Sequence, residues 1–158
     1  MVISAFYQRL NEHFKLILNL ANGILSKIRS KAMSSERYQK GIEVLQKTTN
    51  QAGTEVVNKL NEIHPGLGKL LFEFAYGDIT SRPGLDLKTR QLINVVALTV
   101  LGHALPQLKI HVQGALNMGW TETEIKEAIL QMAVYAGFPT MLNAMFAAEE
   151  VFEQNAVK

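Results

Sequence analysis

Few side chains in this chain could carry acid/base chemistry near neutral pH. There is no cysteine, and the four histidines stand at positions 13, 64, 103 and 111. His111 lies in "PQLKIHVQGALNMGW", residues 106–120. At helical spacing, positions 108, 111, 112, 115, 116 and 119 share one face. They read Leu108, His111, Val112, Ala115, Leu116 and Gly119, so a titratable ring sits inside an apolar stripe.

Three readings of His111 stand side by side: a satisfied core residue, a general acid/base, or a metal ligand. The metal reading is the weakest, because no acidic residue or histidine follows at i+3 or i+4 and no HExxH run is present. His103, eight residues earlier in an interhelix turn, could line the same cavity. Arg90 is the second candidate: a guanidinium there could hold a carboxylate through paired hydrogen bonds. Its plainer reading is a surface salt bridge, for example to Asp86 at i−4. Gln107, Lys109, Tyr135 and Asn143 carry weaker signals, and Tyr135 directly precedes the Ala136–Gly137 turn. His64, followed by Pro65, reads as a helix boundary.

Composition narrows the classes. With 158 residues and 47% hydrophobic content the chain can bury the core of a single domain. A net charge of +2 argues against nucleic acid as a partner. Lack of cysteine removes disulfides, thiol nucleophiles and thiolate metal sites, and is compatible with a cytoplasmic location. No apolar run reaches the roughly 18 residues needed to cross a bilayer.

The elements that must position these side chains are helical. Residues 1–32 form an amphipathic segment, apolar at Phe6, Leu10, Phe14, Ile17, Leu18, Ala21, Ile24, Leu25 and Ile28. It is basic, with Arg9, Lys15, Lys27, Arg29 and Lys31 against Glu12, while the remainder is slightly acidic. It could pack on the domain or a partner subunit, lie on a membrane surface, or be an upstream extension. The domain proper then spans 33–158. Ser34 or Ser35 caps a first helix, Thr54 a short one ending near "HPG", and residues 67–76 form a third. "GDITSRPGLD" reads as the clear loop.

Asp86 caps a helix through Leu101 that should be buried on most sides, and Gly102 ends it. Pro106 opens the His111 helix. Thr121 and Glu124 form a capping box for a helix through Ala136. Pro139 starts the last helix, with Leu142, Met145, Phe146, Glu149 and Phe152 along one side.

Residues 86–152 together resemble the carboxymuconolactone decarboxylase family. The resemblance rests on the "KTRQL" helix entry, the turn and helix around Gly102 and His111, the Thr121–Glu127 cap, and "YAGFP". It implies an all-α fold, a homo-oligomer (typically a trimer or hexamer), and a functional histidine at His111. One branch of that superfamily places a Cys-x-x-Cys before the histidine; here the turn reads "GHALPQLKIH", which leaves peroxide or disulfide chemistry without a nucleophile. The decarboxylase branch uses no metal or organic cofactor. It removes CO₂ from a small carboxylated lactone, a small-molecule carboxylate substrate.

In that reading His111 delivers a proton and Arg90 anchors a carboxylate. His103, Gln107 and Tyr135 line the substrate. Gln107 stands where that branch tends to carry an acidic residue. The alternative is a non-catalytic oligomeric binding or scaffold protein of the same fold.

Overall fold

The computed structural model describes residues 12, 15–17, 19–21, 23–24, 35–49 and 51–156, with the side chains of 51–54 outside that description. The described residues before position 25 are helical, as the amphipathic pattern predicts. The rest of the 1–32 segment, and the choice among its three roles, lies outside the described residues, as does Ser34.

Every described element is a helix. They run α1 (Glu36–Thr49), α2 (Gln51–Ile63), α3 (Leu67–Leu70) continuing as a π-helix (Leu71–Thr80), α4 (Leu87–Leu101), α5 (Leu105–Asn117), α6 (Glu122–Gln131), α7 (Ala133–Ala136) and α8 (Phe138–Ala156). Asp86 caps α4, its carboxylate accepting from the Thr89 N–H at 2.8 Å. Gly102 closes α4 in the left-handed region at φ 73°, a conformation costly for other residues. The Thr121–Glu124 capping box is present in both directions.

Several expectations need correction. The third helix does not stop at Tyr76. It runs to Thr80 as a π-helix, so the loop begins only at Ser81. The Ser81 and Thr80 hydroxyls donate back to the Gly77 and Ala75 carbonyls, which holds this last turn. α2 starts at Gln51 rather than at Thr54. The helix from Thr121 breaks at Met132, and α7 is a separate turn.

Two apolar clusters hold the fold. The larger gathers Val95, Leu108, Val112, Ile125, Ile129, Met141 and Phe152 from α4, α5, α6 and α8. The smaller joins Val44, Leu45, Val57, Phe72 and Tyr76 from α1, α2 and the π-helix. Here α1 meets the π-helix backbone to backbone: a β-carbon on Gly41 would lie 2.2 Å from the Phe72 carbonyl oxygen. Arg37 and Asp78 pair across the same contact through two guanidinium N–H groups.

Two faces differ from the sequence pattern. α4 is buried only along Gln91, Val95 and Thr99, while Ile93, Val100 and Leu101 are exposed. α8 buries Met141, Ala144, Ala147, Ala148, Val151 and Phe152. Of the side that carries Leu142, Met145, Phe146, Glu149 and Phe152, only Phe152 is buried; Met145 is partly so, while Phe146 is 66% exposed and Leu142 is exposed as well. Small alanines face inward because α8 packs closely on α5, α6 and α4.

Candidate active site

α4 and α5 lie side by side and bring residues twenty positions apart into contact. His111 is half-buried on α5, flanked along its own helix by the fully buried Leu108, Val112 and Ala115. Across from it α4 presents Gln91, which is 1% exposed, and Asn94 one turn further on. His111 Nδ1 stands 2.9 Å from Gln91 Oε1 and 3.3 Å from Asn94 Nδ2.

These two contacts compete for one ring nitrogen. An N–H at Nδ1 suits the Gln91 oxygen, whereas a lone pair there suits the Asn94 amide nitrogen. The shorter contact belongs to the buried, tightly enclosed Gln91. It fits an Nδ1–H donating to Gln91 Oε1, with the part-buried Asn94 amide turned to present its oxygen. Nε2 is then the bare, reactive nitrogen.

Gly114 makes this arrangement possible. It sits one helical turn beyond His111, and a β-carbon there would fall 2.7 Å from Gln91 Oε1. The Gln91 amide nitrogen is buried and has no hydrogen-bond partner among the described residues. Leaving such a group unpaired costs roughly 1–3 kcal/mol, so Gln91 is held here at a cost to stability.

Burial sets the charge of the site. Desolvation lowers the His111 pKa to about 4. The ring is neutral at pH 7, and a hydrogen on Nδ1 toward Gln91 would leave Nε2 free to accept. His111 is a partly buried ring whose Nδ1 meets the side chains of Gln91 and Asn94. Among the described residues no three His, Asp or Glu side chains gather in a way that could hold a metal ion, and its polar neighbours are amides.

The other sequence-derived candidates are dispersed. Arg90 does not pair with Asp86, whose carboxylate is taken by Thr89. Instead its Nε donates to the Leu85 carbonyl at 3.2 Å and one Nη to the Arg82 carbonyl at 2.9 Å. It fastens the loop before α4, yet it shares a helix face with Asn94 at i+4 and keeps three of its five N–H groups outside these bonds. His103 is exposed, with Nδ1 2.8 Å from the Leu101 carbonyl of its own turn. Gln107 is exposed on α5, and Tyr135 is 74% exposed on α7. Lys109 pairs with Glu150 at 2.5 Å. Gln91 and Asn94 are the residues sequence reasoning missed. For Asn94 a signal was present, an amide among the apolar residues Leu92 to Leu98; Gln91 lies just before that run and carried none.

Residues 65–150 match the family described as the carboxymuconolactone decarboxylase family. The chain is 38% identical over 122 residues to a 4-carboxymuconolactone decarboxylase of Acinetobacter baylyi, covering 75% of this chain and 88% of that protein. It is 42% identical over 82 residues to a nitrosuccinic acid decarboxylase of Metarhizium robertsii, covering 52% of this chain and 57% of that protein. Both alignments are to proteins named for removal of a carboxyl group.

Proposed function

Because the chain belongs to the carboxymuconolactone decarboxylase family, we propose that it is a carboxy-lyase acting on a small carboxylated lactone of the 4-carboxymuconolactone type, without a metal or organic cofactor. The observation that carries this reading is the neutral His111 ring, oriented by Gln91 with Nε2 left free.

Decarboxylation breaks the carbon–carboxylate bond. CO₂ leaves without the bonding electrons, the conjugated lactone takes them up, and one proton must reach carbon. His111 is short of that proton in the empty site, because its pKa is about 4. An incoming carboxylate reverses the balance, since an opposite charge within a few ångströms favours the imidazolium. The ring therefore takes up its proton together with the substrate and gives it from Nε2 to carbon.

Gln91 holds Nδ1–H in either protonation state and adds no charge of its own. A carboxylate at position 91 would hold the proton on the ring; the amide leaves it free to move. Arg90 offers its remaining N–H groups to a substrate carboxylate from the face it shares with Asn94. His103, Gln107 and Tyr135 would bound the substrate only in an assembly that covers their exposed surfaces.

The same reading includes a homo-oligomer, a trimer or a hexamer, in the cytoplasm. The oligomer is supported by the exposed large apolar side chains Val134, Tyr135, Phe138 and Phe146, which water disfavours. No helix among the described residues is long and apolar enough to cross a membrane. A second reading, a non-catalytic scaffold of the same fold, draws on the commitment of Arg90 to the loop carbonyls and of His103 to its own turn.

The test is CO₂ release from 4-carboxymuconolactone, with the unaltered chain beside His111→Gln. Release that falls by roughly 10²–10⁴ in the variant supports the acid/base role. A folded oligomer that releases no CO₂ from this lactone or from a panel of related keto acids would favour the scaffold.

A further inference from the structure

A cleft of about 360 Å³ opens between α1 and the loop that leads into α4. It is separate from the His111 site, since none of His111, Gln91 or Asn94 lines it. One wall is a single stripe of α1: Lys40, Glu43, Val44 and Lys47 fall at i, i+3, i+4 and i+7 and therefore share a face. The opposite wall is the loop, with Arg82, Leu85 and Asp86.

The charges in it are uneven. None of Lys40, Lys47 or Arg82 has an ion-pair partner among the described residues. Of the two carboxylates, Asp86 is committed to the Thr89 N–H and hydroxyl, which hold it below the usual carboxylate range. Both Glu43 and Asp86 are anionic, so Lys40, Lys47 and Arg82 leave the cleft one positive charge in excess. Val44 and Leu85 supply an apolar surface between the cations. The loop wall is fastened to α4, because Arg90 donates to the Arg82 and Leu85 carbonyls.

We propose that this cleft binds a small aliphatic dicarboxylate, one carboxylate at each end of the α1 stripe and Arg82 closing from the loop. The spacing selects the shape. Seven residues of helix separate the two lysines by about 10 Å along the axis. A compact anion reaches one of them, whereas a six-carbon dicarboxylate reaches toward both and lays its methylenes on Val44 and Leu85. The inference does not depend on the decarboxylase reading. It does tie the cleft to it mechanically, because Arg90 joins the cleft wall to the helix that carries Gln91 and Asn94.

The experiment is isothermal titration calorimetry on the full chain with adipate, malonate and inorganic phosphate. Saturable adipate binding is expected, weakened at least about tenfold in each of Lys40→Gln, Lys47→Gln and Arg82→Gln. Adipate should bind more tightly than malonate or phosphate, and His111→Gln should leave its binding intact. These surface substitutions leave the core untouched, and an unchanged melting temperature in each confirms folding. No saturable adipate binding would overturn the proposal. So would binding that ignores the three substitutions, binding lost in His111→Gln, or phosphate or malonate bound as tightly as adipate.

Discussion

A β-carbon at position 114 would press on Gln91 Oε1 at 2.7 Å, and the buried amide has little room to retreat. Gly114→Ala is therefore expected to push Gln91 off His111 and to cost about 1–3 kcal/mol of stability, measured by urea unfolding. If the proposed chemistry holds, kcat should fall more than KM rises. The titration of His111 gives a second expectation. Its pKa is about 4 in the folded chain, against 6.5 for a free histidine. Between these values the unfolded chain binds a proton that the folded chain refuses. The stability is complete above about pH 6.5 and declines as pH falls, by up to about 3 kcal/mol near pH 4. Urea melts at several pH values should show this slope, and His111→Gln should flatten it. NMR of the His111 ring should place its pKa near 4 without ligand and higher with a bound carboxylate. His111 was legible in the sequence because a titratable ring inside an apolar stripe stands out. Gln91 was not, because an amide on a helix is ordinary until its partner, twenty residues away, is known.

The helix ends were the most legible elements. Asp86, Gly102 and the Thr121–Glu124 pair each act through local hydrogen bonds or a local backbone angle, and local chemistry is written in adjacent residues. Thr121→Ala should accordingly lower stability by about 1 kcal/mol. The π-helix and the inner face of α8 were not legible, because both are decided by what packs against them. Gly41 and Gly77 let the backbones of α1 and the π-helix come together. Against Gly77 a β-carbon would lie 2.2 Å from the Arg37 carbonyl oxygen. Backbone cannot step aside as a side-chain tip can. Gly41→Ala is expected to separate the two helices and lower stability by about 3 kcal/mol or more, seen as a falling melting temperature and loss of the Arg37–Asp78 pair. In α8 the alanines face inward with Met141, Val151 and Phe152 while Phe146 faces outward, a choice that the spacing of the larger side chains does not reveal.

As a whole, the molecule shows an all-α architecture that composition and spacing made legible, and an apolar exterior that they did not. Val134, Tyr135, Phe138 and Phe146 are each more than half exposed. The proposed oligomer would bury these side chains, and Phe146→Glu should shift the sedimentation coefficient toward a smaller species. An unchanged coefficient for both Phe146→Glu and Val134→Glu would place the subunit contact elsewhere. One further property follows from how α4 is seated. The chain has a single tryptophan. Trp120 Nε1 donates to the Lys88 carbonyl at 2.9 Å, and the Lys88 ammonium lies 4.5 Å from the ring centre. The indole thus clasps the first turn of α4, next to Arg90 and Gln91. Its fluorescence comes from one place, so its emission maximum and lifetime report directly on whether that turn is docked. The protein carries a built-in optical gauge of the helix that holds its candidate active site.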